Sequence, residues 1–298
     1  MHGESGFAPP ALAFPLDIEF SAPPAQIADL IHPRDKPVGV FSHTRSQMRQ
    51  ARVWIVFPGR NRHDAAPMSQ KRKHEIACPF CGREQTVELW DALNADEDPG
   101  LREELVAGRI NRVECVGCRK GFRVDKPLVY RDVEQDLFIH YDPLLGARAL
   151  PDVEKAFREG VAELNRLLPP DVEPPDAHLV VEWSELVERL FLLEEGLDAR
   201  LVEHVKYLMY RQNPDQLPAD KKNLLFDAQD STDEQLCFVV QDRATHKLEA
   251  VLNFARADYE ALVNVFDSGD QLALLEEQFP GPYYNGRLRF LQDQAEED

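Results

Sequence analysis

Hydrophobic positions fall into regular patterns from about residue 69 onward and into almost none before it. Gln85–Trp90 alternates apolar and polar residues like a strand, as do Ile110–Glu114 and Gly121–Val124. Between the first two, Asp98 and Pro99 read as the N-cap and first position of a helix. Leu101, Leu105 and Val106 share one face of it, and Gly108 ends it. Residues 151–168 carry Val153, Phe157, Val161, Leu164 and Leu168 at helical spacing and stop at Pro169-Pro170. After a proline-rich link at 171–177, His178–Trp183 reads as a short strand. Ser184 then caps a helix ending at Gly196, and Asp198 caps a second that ends at Asn213-Pro214. Leu224–Phe226, Gln235–Gln241 and Lys247–Phe254 follow as strands. A last helix places Tyr259, Leu262, Val263 and Phe266 on one face.

Residues 1–67 are different. They hold 9 of the 22 prolines, and only Val53–Phe57 reads as a strand. Seven basic and six acidic residues give them a net charge of +1, whereas the rest of the 298-residue chain carries 27 basic and 47 acidic residues, a net of −20. Such a segment buries little surface. It is expected to be disordered, or to be an extension upstream of a true start at Met68, with the basic Lys71-Arg72-Lys73 a solvated lead-in. The expected organisation is 68–146 as a cysteine-bearing domain, 147–218 as a helical region, and 219–298 as a small α+β region whose acidic end, Asp293–Asp298, frays. Strands, then helices, then strands and a helix make the fold class α+β.

Four of the five cysteines form two pairs, Cys78-Pro-Phe-Cys81 and Cys115-Val-Gly-Cys118. A two-residue spacer turns both thiolates of a pair toward one ion, and two such turns complete a tetrahedron of sulfurs around zinc. Gly82 suits the turn after Cys81. The 33 residues between the pairs leave room for the strand, helix and strand read above. The expected structure is a zinc ribbon with a helical insertion, holding one structural zinc on Cys78, Cys81, Cys115 and Cys118. On this reading, loss of a ligand unfolds residues 74–142. Two rivals remain open: a redox pair of the glutaredoxin type at Cys78 and Cys81, and an iron–sulfur cluster. The redox reading requires the first cysteine at a helix N-terminus, and the residues after Cys81 alternate like a strand instead. Cys237 sits in the apolar run Leu236–Val240 and reads as a small core residue.

Cys78-Pro-Phe-Cys-Gly82, the helix at 98–108, Cys115-Val-Gly-Cys118, Pro127–Asp132 and Phe138–Pro143 together resemble the prokaryotic CpXC domain. Residues 192–206 resemble the helical part that follows it. The resemblance spans roughly residues 74–210 and matches the four cysteines position by position. Val116 stands where the family often has proline, and Arg119 where a glycine often follows the fourth cysteine. The family has no established molecular function, so the resemblance implies the metal site and no activity.

Elsewhere the chain carries no phosphate-binding glycine loop, no nucleophile elbow and no His-Glu-x-x-His spacing. His140, His178, His204 and His246 read as capped or half-buried surface residues, and Glu194-Glu195 as a solvated face. The balance of charge opposes general nucleic-acid binding. No apolar run approaches the roughly 20 residues needed to span a bilayer, and free thiols suit the cytosol. The expected function is a non-enzymatic cytosolic interaction protein offering an acidic surface to a basic protein partner. The alternatives are a zinc-ribbon enzyme or subunit with a site assembled between domains, and a nucleic-acid factor.

Overall fold

The structure is a computed structural model that describes residues 69–146, 148–266 and 269–297. The expectations for residues 1–67, the Val53–Phe57 strand and the start at Met68 lie outside the described residues.

A five-stranded sheet, a three-stranded sheet, a two-stranded ribbon and seven helices make an α+β fold among those residues. The first sheet has five strands in the order β1-β2-β5-β6-β7. Its first strands, β1 (Gln70–Ala77) and β2 (Glu84–Asn94), form an antiparallel hairpin. Lys71–Lys73 therefore belong to an edge strand rather than a lead-in. Charged side chains suit such an edge, because they discourage pairing with another chain. At eleven residues β2 is long enough to serve two partners. Its length pairs with β1, while Ala92–Asn94 also run parallel to Val129–Arg131 of β5 (Leu128–Asp132). β6 (Leu137–Tyr141) pairs antiparallel with β5, and β7 (Asp176–Val180) parallel with β6. The crossover from β6 to β7 is α2 (Leu150–Leu167). Every residue of β6 is buried, as expected for a strand with neighbours on both edges and cover on both faces.

The segment from β2 to β5 holds α1 (Gly100–Val106) and a two-stranded ribbon, β3 (Arg112–Glu114) with β4 (Gly121–Arg123). After β7 come α3 (Trp183–Glu194) and α4 (Ala199–Gln212). The second sheet is antiparallel, β10-β9-β8, from β8 (Lys222–Asp227), β9 (Gln235–Asp242) and β10 (Leu248–Ala255). Helices α5 (Arg256–Phe266), α6 (Gly269–Gln278) and α7 (Gly286–Glu297) complete the fold. One core joins α1 and α3 to the first sheet through Leu93, Leu105, Tyr130, Ile139, Leu186 and Leu190. A larger one joins α4 and the C-terminal helices to one face of the second sheet through Val202, Met209, Phe226, Phe238 and Phe254.

Several local expectations change. Asp198 caps α4 as expected, its carboxylate accepting from the Leu201 amide at 2.8 Å. The cap of α3 is Glu182 and not Ser184: Glu182 and Glu185 form a reciprocal capping box, which a serine inside the first turn cannot supply. Residues 293–297 are the last turns of α7. Asp293 is held there by Tyr207 at 2.7 Å and Arg289 at 2.6 Å. His140 and His178 are buried rather than half-exposed, and burial holds both below the usual histidine range.

A buried ionic clasp joins the two sheets' helices. Lys206 on α4 donates to Glu188 and Glu203, each at 2.7 Å. Burial alone would lower this lysine, but the two carboxylates outweigh it and hold it above its ordinary value. The irregular stretch before α7 is pinned to the clasp and to the neighbouring Glu185. Tyr283 and Asn285 donate to Glu185 at 2.6 and 2.8 Å, and the Gly286 amide donates to Glu203 at 2.7 Å. Gly286 has to be glycine here, because a Cβ would collide with the Glu203 carbonyl on α4.

Candidate metal centre

The two Cys-x-x-Cys turns close two hairpins. The first lies between β1 and β2, the second between β3 and β4. Their backbones repeat each other. In the first, the Cys78 amide donates to the Arg83 carbonyl at 2.9 Å and the Gly82 amide to the Cys78 carbonyl at 2.8 Å. In the second, Cys115 donates to Lys120 at 2.9 Å and Arg119 to Cys115 at 2.9 Å. The left-handed position falls on Gly82 in the first (φ 71°) and on Arg119 in the second (φ 62°). The departures at Val116 and Arg119 thus leave the second turn in the same shape as the first, with the strain carried by Arg119.

The turns face each other, and all four sulfurs lie within 4.8 Å of one another. Cys78 Sγ is 3.7 Å from Cys118 Sγ, and Cys81 Sγ is 3.6 Å from Cys115 Sγ. Four sulfurs bound at about 2.3 Å to a tetrahedral ion stand about 3.8 Å apart, so the donor set fits such an ion. All five cysteines are free thiols. Neither Cys78 nor Cys81 opens a helix; one follows β1 and the other precedes β2.

Backbone amides are aimed at the sulfurs. Phe80 N–H donates to Cys78 Sγ at 3.4 Å, and the Gly117 and Cys118 amides donate to Cys115 Sγ at 3.3 and 3.5 Å. The Cys118 and Gly117 amides, outweighing burial, draw Cys115 down to about 6. The Arg83 amide acts in the same direction on Cys81, yet burial and the three neighbouring thiols together push Cys81 up to about 11. Four thiols this close do not all ionise unless a cation joins them.

Residues outside the motif hold the turns in place. Gln85 bridges them: its side-chain oxygen accepts from the Val116 amide at 2.9 Å, and its nitrogen donates to the Glu114 carbonyl at 3.3 Å. Gly117 packs against Arg83, whose Cδ would stand 2.7 Å from a Cβ there. Beneath the sulfurs a small apolar cluster joins Ile76, Leu89, Phe122 and Val124 to Cys78 and Cys115. Asn111, held at φ 55°, accepts from the Trp90 amide at 2.7 Å and donates to the Trp90 carbonyl at 3.1 Å, tying the insertion back to β2. Buried Lys126 reaches the Asp91 carboxylate on the same strand, beside Arg72 and His74. Sequence reading missed Gln85, Asn111 and Asp91. A lone glutamine, asparagine or aspartate beside a strand carries no spacing signal.

The other candidates lie apart. Cys237 is buried in the second sheet, bonded to the Asp230 carbonyl at 3.0 Å and to Asn253 at 3.2 Å, and burial pushes it up to about 11. His178 stands between Tyr284 (2.6 Å) and Asp176 (2.9 Å), and His204 against Gln278 (2.6 Å). His140 packs edge-on to Phe157, and the His246 amide closes a turn onto Asp242. Among the described residues, the four cysteines are the one such cluster able to hold a metal ion.

No curated protein and no solved structure matches the chain. Residues 76–206 match the family model described as CpXC protein. That span takes in all four cysteines, the insertion, strands β2, β5, β6 and β7 of the first sheet and the first turns of α4, and over it the chain is similar to the CpXC family.

Proposed function

We propose that the cysteine cluster is a structural zinc site in a zinc ribbon with a helical insertion, and that the chain is a non-enzymatic interaction protein. The observation that carries this is the completeness of the donor set. Four thiols at tetrahedral spacing fill every position around zinc, whereas a catalytic zinc keeps one position open for water or substrate. Sulfurs within 4.8 Å of one another fit a single ion and stand too close together for a sulfide-bridged iron cluster. Thiolates with zinc carry a net charge of −2. Arg83, Arg119 and Lys120 around the turns offset it, with Lys120 resting on the Phe80 ring.

The interaction role rests on charge. A net of −20 after residue 67 suits a basic protein partner through steering and complementarity. A cytoplasmic setting is part of the same proposal, since thiols stay available to metal in a reducing compartment. No helix among the described residues is long and apolar enough to cross a membrane.

One observation favours an enzyme instead. A small polar cleft lies between α3, α4, β8 and the segment before α7, lined by Glu182, Glu185, Glu188, Glu203 and Lys206. Burial raises the Glu185 and Glu188 carboxyls. Their oxygens are already taken by Lys206 and by backbone and side-chain donors, which supports a clasp rather than acid–base work. The experiment is a zinc count on purified chain, followed by titration of candidate basic proteins at rising salt. Stoichiometric zinc and a salt-sensitive complex support the proposal. A small-molecule ligand displaced by Glu188→Gln supports the enzyme reading.

A further inference from the structure

The two cysteine turns belong to different sheets, one to the β1–β2 hairpin of the five-stranded sheet and the other to the β3–β4 ribbon. No strand ladder joins the two hairpins. The apolar cluster beneath the sulfurs packs them together, but apolar packing is non-directional and does not set how the turns face each other. Side-chain amides supply the direction. At the far end Asn111 answers both the amide and the carbonyl of Trp90. At the metal end Gln85 answers the Val116 amide at 2.9 Å and the Glu114 carbonyl at 3.3 Å, the groups on either side of Cys115. A primary amide offers an acceptor and a donor side by side, so Gln85 stands in for a missing rung. The second turn has no counterpart. Gln85 and Phe122 each stand seven residues after the first cysteine of their turns, and Phe122 is buried in the cluster beneath the sulfurs.

We infer that Gln85 is a positioning residue for the metal. It clamps the peptide on both sides of Cys115 against β2, and so sets the shape of the four-sulfur site and the rate at which an ion leaves it. The inference rests on the reading of the cluster as a zinc site. The clamp needs glutamine. Glutamate accepts from the Val116 amide but has no donor for the Glu114 carbonyl, and methionine, of similar length, offers neither. Asparagine is one methylene too short to keep both bonds. Outer partners that orient metal ligands are worth about 10- to 100-fold in metal affinity. Gln85 is only half-buried, which places it toward the lower end of that range.

Two measurements on the full chain test this. Transfer of zinc to an excess of a chromogenic chelator gives the release rate, and the visible absorption of the cobalt-substituted chain gives the shape of the site. Gln85→Met should release zinc about tenfold faster and shift the cobalt bands. Gln85→Glu, which keeps one of the two bonds, should fall between it and the parent. Val87→Ala thins the apolar cluster without touching the turns, and should leave the cobalt bands where the parent has them. If Gln85→Met does not fold, Gln85→Glu decides alone. A zinc-binding parent matched by its Gln85 variant in release or in cobalt bands would overturn the inference and leave the zinc site standing. So would Val87→Ala reproducing both effects, since lost packing would then explain them. A parent that binds neither zinc nor cobalt would overturn the zinc reading and the inference together.

Discussion

Gly82 and Arg119 hold the same place in the two cysteine turns, and only one of them is suited to it. Arginine at positive φ costs on the order of 1 kcal/mol relative to glycine. Arg119→Gly should therefore stabilise the metal-bound domain by about 1 kcal/mol, less a few tenths for the exposed ion pair with Glu114. Gly82→Ala should destabilise it by about 1 kcal/mol. Denaturant midpoints with zinc present measure both. Asp91 sets a pH dependence. Burial alone would raise its carboxyl, but His74 and Lys126 outweigh that and hold it at about 2, below its ordinary 3.8. A carboxyl lowered on folding contributes stability that is present above the ordinary value and is lost as pH falls from near 4 toward 2. Asp91→Asn should be less stable at pH 7, by about 2–3 kcal/mol because Lys126 stays buried beside it. Its stability should also fall less between pH 4 and 2. Urea titrations at pH 7, 4 and 2.5 would show whether the gap to the parent closes.

At the scale of elements, the clasp on α4 is the joint between the CpXC part and the second sheet. Lys206→Met leaves Glu188 and Glu203 buried without their cation and should cost about 3–5 kcal/mol in global stability. Gly286→Ala should cost about 1–3 kcal/mol by forcing α7 away from α4. Its signature should be increased amide exchange in α7, with β2 and β5 unaffected. The sequence disclosed the elements better than their joints. Strands and helices with alternating or helical apolar spacing, such as β9, α2 and α4, were legible because each is held by its own face. The parallel pairings of β2 with β5 and of β6 with β7 were not, since no turn records them. Nor was the burial of His140 and His178, which depends on Phe157 and Tyr284 far along the chain. The four cysteines were legible as a set because ligand spacing is local. Gln85 and Asn111, which fix the turns, act across 31 and 21 residues.

For the molecule as a whole, the structure redraws what metal loss should do. From spacing alone, loss of a ligand unfolds residues 74–142. In the fold, β5 and β6 are paired onward to β7 and packed on α3, independently of the cysteine turns. The part that depends on the metal is the β1–β2 end and the β3–β4 ribbon, whose own apolar cluster is small. Chelation should therefore erase amide protection in residues 75–90 and 112–124 and leave β5–β7 protected. These outcomes depend on one structural zinc held by four cysteines, and such sites contribute on the order of 10–16 kcal/mol in small zinc modules. Native mass spectrometry of the purified chain, beside Cys78→Ser and Cys115→Ser, tests it most directly. The expected result is one zinc per parent chain and none firmly held by either variant. A parent with well under one zinc and a Cys78–Cys81 disulfide would contradict it and leave the redox reading standing.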